Sequence, residues 1–549
     1  MGECRKTEWP WRGIPFRRNL RYLRKPWKTV DTGGKGVNWE PYWKKLITFS
    51  WASEGLRKNW QNQLREVQSE IGFEYIRFHG IFSDEMMVCN LGREGNMNYN
   101  WSYVDELFDF FRETGIKPFL ELSFMPSELK RTNKTMFWQK ANISPPRDMG
   151  AWTGLVTELT RHCVNRYGLG EVETWYYEIW NEPDYENVFW AGSKEEYFAF
   201  YRQTALAIKS ISERIRVGGP SVTHQSVTDP SWLTDFLLYC KNNAVPLDFV
   251  SLHIYPETIA PTEHAKVQDL WTQLKQGESP EKLMKNWLSV KRIYLDRNNT
   301  YDALVSADAI LKEFAPHDPQ LHITEWNASA YGRNLIHDTC YVAAFIIRSI
   351  LQCIGKADSI GYWTFTDIME ETKAGISAFH GGFGLISRDG LKKPAYYAYW
   401  FLSRLGREIL VRGEEFIVTR AREDIQILAC NFAYFDSLFL SGDTSALTAT
   451  DRYSIYESGP DKEIRLCIAG LAGKYKITRY RLDRQHGSVF DEWVRMGAPE
   501  EMTQQVLQYL KGKARPEMAV KCVDLNGEYR EKLIIPVHGV QMIMLERQM

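Results

Sequence analysis

Between residues 46 and 404 the sequence alternates short apolar runs with longer amphipathic stretches, and this pattern narrows the fold more than any other feature. Eight apolar runs have the length and composition of buried β-strands, at 46–51, 75–79, 118–123, 175–180, 216–219, 249–253, 321–325 and 361–365. Helical periodicity fills the intervals, at 54–70, 101–113, 148–166, 194–212, 231–242, 301–313, 337–354 and 392–404. Eight consecutive strand–helix repeats predict a (β/α)8 TIM barrel, an α/β fold with parallel strands inside a ring of helices.

The sequence changes character after about residue 405, where apolar and polar residues alternate with a period of two. This pattern predicts antiparallel strands at 416–420, 425–431, 463–469, 474–481 and 533–544, with one helix near 499–512. We interpret this part as a C-terminal β-sandwich that packs against the barrel and is partly completed by the N-terminal segment. The predicted domains are an N-terminal segment at 1–44, the barrel at 45–404 and the β-sandwich at 405–549.

Polar and aromatic side chains recur at the carboxyl ends of the predicted barrel strands. Those at or just past the last apolar residue of their strand are His79, Glu121, Asn181, Glu182, His253, Glu325 and Trp363. In a TIM barrel these ends face the active-site mouth, whereas the opposite ends serve stability. One such residue could be a satisfied rim group, but seven together predict a shared functional site.

Of the three carboxylates in this set, Glu182 and Glu325 lie about three barrel repeats apart. Hydrolysis of a glycosidic bond requires such a pair, with one carboxyl protonated to release the leaving group and the other ionised to attack the sugar or activate water. A lone Glu before Pro183 would be interpreted as a loop cap, but the barrel context favours catalysis. We therefore predict a retaining glycosidase, in which Arg77 on a neighbouring strand keeps Glu325 ionised through a paired hydrogen bond.

The charge balance, 68 basic against 69 acidic residues, gives no indication of a nucleic-acid partner. Basic residues concentrate in the first 28 positions, where no apolar core follows them, so we interpret them as a surface arm and not as a secretory signal. The best apolar stretch, 341–354, is interrupted by Arg348, which argues against a membrane span. Nine cysteines without CxxC pairs favour a reducing, cytoplasmic location.

Five segments carry a family resemblance. They are 75–80 (Tyr-Ile-Arg-Phe-His-Gly), 178–183 (Glu-Ile-Trp-Asn-Glu-Pro), 322–327 (His-Ile-Thr-Glu-Trp-Asn), 362–365 (Tyr-Trp-Thr-Phe) and 379–384 (Phe-His-Gly-Gly-Phe-Gly). In this order they resemble glycoside hydrolase family 39, whose members also carry a β-sandwich after the barrel. The resemblance implies a β-xylosidase, an α-L-iduronidase or a close relative that acts on non-reducing-end sugars, and a homo-oligomer (dimer or tetramer).

By this resemblance Glu182 is the general acid/base and Glu325 the nucleophile. The residues expected to bind the sugar are His79, Asn181, His253, Tyr255, Trp363 and Glu370. Asn181 would hydrogen-bond the 2-hydroxyl, and Trp363 would form a platform under the ring. Tyr255 has an alternative role, since it could orient Glu325 from the side. A carboxylate at Glu370 tolerates neutral xylose but repels a uronic acid, which favours a xylosidase over an iduronidase.

The reaction implies no metal or organic cofactor, because two carboxylates suffice. The expected partner is an oligosaccharide or glycoside substrate, and the favoured reaction is release of xylose from the non-reducing ends of xylo-oligosaccharides. One alternative is a glycosidase for another sugar, such as an α-L-arabinosidase, β-glucosidase, β-galactosidase or α-L-iduronidase. The other is a carbohydrate-binding protein that has lost turnover, although such proteins usually lack one of the two carboxylates.

Overall fold

The computed structural model describes residues 26–93, 96–278, 283, 286, 289–369 and 377–548. Glu370 and most of the basic N-terminal arm lie outside these residues. In the described part, eight parallel strands close a barrel, and a second sheet of eight strands lies beside it. The predicted fold class, a (β/α)8 barrel with a C-terminal β-domain, is confirmed.

The barrel strands follow one another in sequence order around the barrel, and every neighbouring pair is parallel. They are Leu46–Trp51 (β1), Tyr75–His79 (β2), Lys117–Glu121 (β3), Tyr176–Glu178 (β4), Arg216–Val222 (β5), Phe249–Ile254 (β6), Gln320–Trp326 (β7) and Ser359–Tyr362 (β8). All eight predicted strands are present, with ends shifted by a few residues.

Helices fill the intervals between these strands, as the periodicity predicts. They are Lys58–Glu70, Ser102–Thr114, Met149–Tyr167, Lys194–Lys209, Ser231–Asn242, Asn299–Phe314, Cys340–Gln352 and Pro394–Leu402. Lys194–Lys209 begins with a capping box, in which Ser193 and Glu196 each accept a hydrogen bond from the other's backbone N–H. No helix among the described residues combines the length and apolar character that a membrane span needs.

The loops between barrel strands and helices contain further short helices and strand pairs. The short helices are Leu169–Val172, Gln225–Thr228 and His264–Lys275, and the paired strands are Cys89–Leu91 with Met97–Tyr99, Thr135–Met136 with Ala141–Asn142, and Glu257–Ile259 with Arg292–Tyr294. Most follow the carboxyl end of a barrel strand, so they build up the rim of the mouth. The sequence pattern did not indicate the helix and hairpin between β6 and β7.

Register shifts in the barrel concentrate near the carboxyl ends of the strands. They lie at Thr48/Trp51 in β1, Pro220/Val222 in β5, Leu252/His253 in β6 and Ile323/Trp326 in β7. A bulge re-aims the side chains that follow it. His253 and Glu325 become direct neighbours across β6 and β7 just after such a shift.

The amino-terminal end of the barrel is filled by aromatic side chains. Phe119, Tyr176 and Phe249 form a buried cluster there with Leu46 and Tyr75. The rings of Phe119 and Tyr176 stack with centroids 4.8 Å apart. This packing closes one end of the barrel, so polar side chains at the other end have an apolar layer beneath them.

The second sheet takes strands from both ends of the chain. They are Lys28–Asp31, Val37–Asn38, Glu408–Arg412, Phe416–Ala421, Asp424–Cys430, Lys462–Leu482, Glu517–Ile535 and Val540–Arg547. The two N-terminal strands pair with Lys462–Leu482 and Glu408–Arg412, so the N-terminal segment contributes as predicted. Alternate residues face opposite sides, since Val418 lies in the sheet's own core whereas Ile417 joins the barrel core.

The predicted division of this sheet into strands is wrong in two places. Segments 463–469 and 474–481 form one strand, Lys462–Leu482. A bulge between Ala469 and Leu471 takes up Gly470, and Gly473 pairs regularly with Leu525, so the pairing is not broken. Segment 533–544 is divided by a turn, in which His538 has a φ of 60° and the Gly539 N–H donates to the Pro536 carbonyl at 2.8 Å. The intervening strand, Glu517–Ile535, is mostly exposed in its first half and therefore lacks the alternation that predicts strands.

The remaining helices of this domain are Ser437–Leu440, Val489–Arg495 and Gln504–Lys513. The last of them is the predicted helix near 499–512.

A buried ion cluster fastens the loops after β7 and β8 to the C-terminal domain. Asp338 pairs with Lys393 at 2.7 Å and with Arg452 at 2.6 Å, and Lys393 also pairs with Asp367 at 2.5 Å. Burial alone would raise the pKa of Asp338, but the two cations lower it to about 2. Asp338 therefore stays ionised, and every charge in the cluster has a partner.

We expect Arg452→Met to lower the free energy of unfolding by about 3–5 kcal/mol, because it leaves the buried Asp338 charge with one partner fewer. The matched control is Arg131→Met, which breaks an ion pair with Glu196 whose side chains are both 44% exposed. That loss should stay below about 1 kcal/mol. Urea denaturation measures both values, and equal losses for the two variants would contradict this role of the cluster.

Candidate active site

Arg77, on β2, is the central cation of the barrel mouth and is fully buried. Its Nε donates to Glu178 Oε2 at 2.7 Å, its Nη1 donates to Glu325 Oε1 at 2.7 Å, and its Nη2 lies 2.5 Å from Glu121 Oε2. Three acidic side chains from β3, β4 and β7 thus surround one guanidinium. The predicted contact between Arg77 and Glu325 is present, but it is a single hydrogen bond instead of a pair, and the two strands are not neighbours in the barrel.

The protonation of this cluster follows from its contacts. Burial alone would lower the pKa of Arg77, but the surrounding carboxylates raise it. Burial alone would raise the pKa of Glu121, but Arg77 and His79 hold it below its ordinary value. For Glu178 burial dominates and raises the pKa, with Arg77 offsetting only part of the effect. Of these two carboxyl groups, Glu178 is therefore the one that takes up a proton more readily.

Glu325 is held through both of its carboxylate oxygens. Arg77 donates to Oε1, and the Tyr255 hydroxyl donates to Oε2 at 2.7 Å. His79 lies between two acidic groups, with Nδ1 2.7 Å from Glu121 Oε2 and Nε2 3.5 Å from Glu325 Oε1. These donors stabilise a negative charge on Glu325. The contact of Tyr255 is the one expected from its alternative role, orienting Glu325.

Glu182 lies on the loop that follows β4, in a backbone held by specific hydrogen bonds. Trp180 and Glu182 have φ values of 72° and 43°, in the left-handed region that non-glycine residues rarely adopt. The Trp180 indole donates to the Phe189 carbonyl at 2.8 Å, and the Glu182 N–H donates to the Ser221 carbonyl at 3.0 Å. Surrounding contacts thus fix an unusual conformation, as often occurs at functional sites.

His253, at the end of β6, faces protein partners with both ring nitrogens. Its Nδ1 lies 2.7 Å from Glu182 Oε1, and its Nε2 lies 2.9 Å from Ser221 Oγ. Burial, with further contributions from Arg77 and His79, lowers its pKa well below the ordinary value, so the ring is neutral. Its expected contact with the sugar stays a prediction, and the observed contacts tie it to Glu182.

The other predicted binding residues surround the same point. Asn181 Oδ1 accepts a hydrogen bond from Arg77 Nη2 at 2.9 Å. This contact fixes the orientation of the amide, so that Nδ2 is the atom that can donate to a ligand. The Trp363 ring lies with its centroid 4.9 Å from that of His79, next to Arg77. The structure thus brings together every predicted site residue except Glu370, which lies outside the described residues.

Two members of the site escape sequence reasoning. Glu178 is a charged residue within a buried, apolar strand, and this pattern alone could have indicated that its side chain belongs to the site. Ser221 stands in a Gly-Gly-Pro-Ser stretch that favours a turn, and no sequence feature indicates that its hydroxyl enters the barrel.

Within the described part of the chain, one group of side chains has the spacing to hold a metal ion. One ligand atom each from Glu182, His253 and Glu325 lie within 4.8 Å of one another. The hydrogen bond between His253 and Glu182 and the donors on Glu325 account for this closeness without an ion. The same distance brings the two carboxylates near enough to act on the two atoms of a single bond.

Comparisons with known proteins identify the family to which the chain belongs. A β-xylosidase of Caldicellulosiruptor saccharolyticus is 33% identical over 94% of this chain and 98% of its own, and one of Geobacillus stearothermophilus is 33% identical over 95% and 96%. The crystal structure of a monomeric β-xylosidase from Caulobacter crescentus superposes with a TM-score of 0.80 at 26% identity, covering 95% of this chain and 99% of that one. The profile of glycosyl hydrolases family 39 matches residues 29–530, and the chain belongs to that family.

Proposed function

We propose that the protein is a retaining β-D-xylosidase that releases xylose from the non-reducing ends of xylo-oligosaccharides. The observation that carries the proposal is the pair of carboxylates, with one oxygen of Glu182 and one of Glu325 within 4.8 Å of each other. This closeness favours retention, for which the carboxyl groups are about 5–5.5 Å apart, over inversion, which needs about 6.5–9.5 Å. The two β-xylosidases that align over nearly the whole chain support xylose as the sugar.

In the first step Glu182 donates its proton to the glycosidic oxygen while Glu325 attacks the anomeric carbon. The bond to the aglycone breaks, its electron pair leaves with the protonated oxygen, and an ester forms at Glu325. In the second step Glu182, now ionised, takes a proton from water, whose oxygen displaces Glu325. Both carboxyl groups return to their starting states.

The surrounding residues serve these two steps. Arg77 and Tyr255 stabilise the Glu325 anion before attack and after release. Asn181 Nδ2 would donate to the sugar 2-hydroxyl, a contact that strengthens in the transition state. Trp363 would present its ring to the sugar, with His79 beside it. Glu370 would accept hydrogen bonds from outer hydroxyls and repel a uronic acid.

We also keep two broader proposals. The eight cysteines among the described residues are all free thiols, which supports a reducing, cytoplasmic environment. A homo-oligomer remains a proposal that rests on the family resemblance, and one relative with a solved structure is monomeric.

Hydrolysis of p-nitrophenyl glycosides tests the proposed function. The panel contains the β-D-xyloside, α-L-arabinosides, β-D-glucoside, β-D-galactoside and α-L-iduronide, and NMR follows the first anomer formed. We expect preference for the xyloside with β-xylose appearing first. Preference for another sugar with retention would change the specificity and keep the mechanism, α-xylose appearing first would contradict retention, and no turnover by folded protein would favour a binding protein.

We expect Glu325→Ala to lose roughly 10⁴–10⁶-fold in kcat, the range for removal of a catalytic nucleophile. Azide should then restore turnover and yield the α-xylosyl azide, because it attacks from the vacated side of the sugar. The control is Glu195→Ala, an exposed carboxylate on the helix Lys194–Lys209, which should keep full activity and not respond to azide. Full activity in Glu325→Ala, or a β-configured azide product, would contradict the assignment.

A further inference from the structure

Ser221 occupies an unusual place in the barrel wall. It follows the Gly219–Pro220 bond near the end of β5, has a φ of 57°, and stands at the register shift between Pro220 and Val222. The bulge places its hydroxyl inside the barrel, where the residue is fully buried. Its carbonyl also accepts the Glu182 N–H at 3.0 Å, so this residue contacts the backbone of the proposed acid/base as well.

The hydroxyl of Ser221 lies between a cation and an imidazole. Arg77 Nη2 donates to Ser221 Oγ at 3.0 Å, and His253 Nε2 lies 2.9 Å from the same oxygen. A guanidinium has no acceptor, so it cannot receive the hydroxyl proton. Among the contacts of the described residues, His253 Nε2 is the acceptor within reach of that proton.

This assignment fixes the tautomer of His253. The ring is neutral, because burial and the neighbouring Arg77 and His79 disfavour a second proton. If Nε2 accepts from Ser221, the single ring proton resides on Nδ1. Nδ1 then donates to Glu182 Oε1 at 2.7 Å, closer than its 3.5 Å distance to Glu325 Oε2.

We propose that Ser221 is a positioning residue, which fixes the tautomer of His253 and thereby confines the catalytic proton of Glu182 to Oε2. The proposal rests on the proposed acid/base role of Glu182. An Oε1 that accepts from His253 is the poorer site for the proton, because a protonated carboxyl oxygen is a weak acceptor, so the acid form is protonated on the other oxygen. Without the hydroxyl, His253 is free to carry its proton on Nε2 and to accept one from Glu182 Oε1 at Nδ1, which diverts the proton from the leaving group.

The test measures kcat/KM of Ser221→Ala on aryl β-xylosides whose leaving groups span a wide range of pKa. We expect kcat/KM to fall about 10–100-fold for the poorest leaving groups, which is part of the 10²–10⁴-fold that general acid catalysis supplies. For dinitrophenyl substrates, which need no proton, the loss should be less than about 2-fold. Glu182→Ala, which removes the proposed acid, gives the upper limit for how steeply kcat/KM depends on the pKa of the leaving group. The control is Ser226→Ala, on the short helix that follows β5. It removes a buried hydroxyl that donates to Asp184 and should leave the dependence unchanged.

Two further variants distinguish loss of the Ser221–His253–Glu182 hydrogen bonds from a folding defect. Ser221→Gly tolerates the positive φ and also lacks the hydroxyl, so it should reproduce the leaving-group effect even if Ser221→Ala is unstable. His253→Asn supplies an amide donor to Glu182 that does not depend on Ser221. In that background Ser221→Ala should therefore add no leaving-group effect.

A loss in the Ser221 variants that is equal for all leaving groups, no loss at all, or additive effects in the double variant would overturn the proposal. If the wild-type protein hydrolyses no glycoside, the proposed function fails instead. The two failures are therefore distinguishable.

Discussion

The buried guanidinium of Arg77 is the interaction on which the rest of the site depends. A lone charge in a barrel interior is costly, and this one is stable because acidic side chains from β3, β4 and β7 converge on it. The dependence is mutual, since the same cation offsets the charges of Glu121 and Glu325. Closing the barrel in sequence order brings β2, β3 and β4 side by side and β7 across the mouth, so the fold itself assembles the cluster.

Both proposed catalytic carboxylates trace back to this cation by different routes. Glu325 receives a direct hydrogen bond from Arg77, whereas Glu182 is reached through Ser221 and His253. The direct contact favours an anion, as a nucleophile requires. The indirect route ends at the neutral ring of His253, which brings no positive charge next to Glu182. Arg77 thus lies at the start of hydrogen-bonded chains to both carboxylates, for which we propose opposite roles.

The fold and the convergence of Glu182 and Glu325 could be predicted, because both depend on local sequence patterns. Periodicity located every barrel strand, and the position of Glu182 and Glu325 at strand ends indicated the mouth. The partners of His253 could not be predicted, because they depend on a bulge in β5 and a positive φ at Ser221 that the sequence does not signal. Two long strands of the C-terminal domain were not predicted correctly for related reasons. Lys462–Leu482 contains a bulge near Ala469, and Glu517–Ile535 is mostly exposed in its first half. Glycines indicate turns, and exposed strands lack the alternation that burial imposes.

The central claim, that Glu325 forms a covalent bond to the sugar, is tested most directly by trapping that bond. A 2-deoxy-2-fluoro-β-xyloside with a dinitrophenyl leaving group should form the ester quickly and hydrolyse it slowly, because fluorine destabilises both transition states while the good leaving group speeds the first step. Peptide mass spectrometry then locates the label. The account predicts one fluoroxylosyl group on the peptide that contains Glu325. A label on Glu182 or another residue, or turnover of ordinary xylosides without any label, would contradict it.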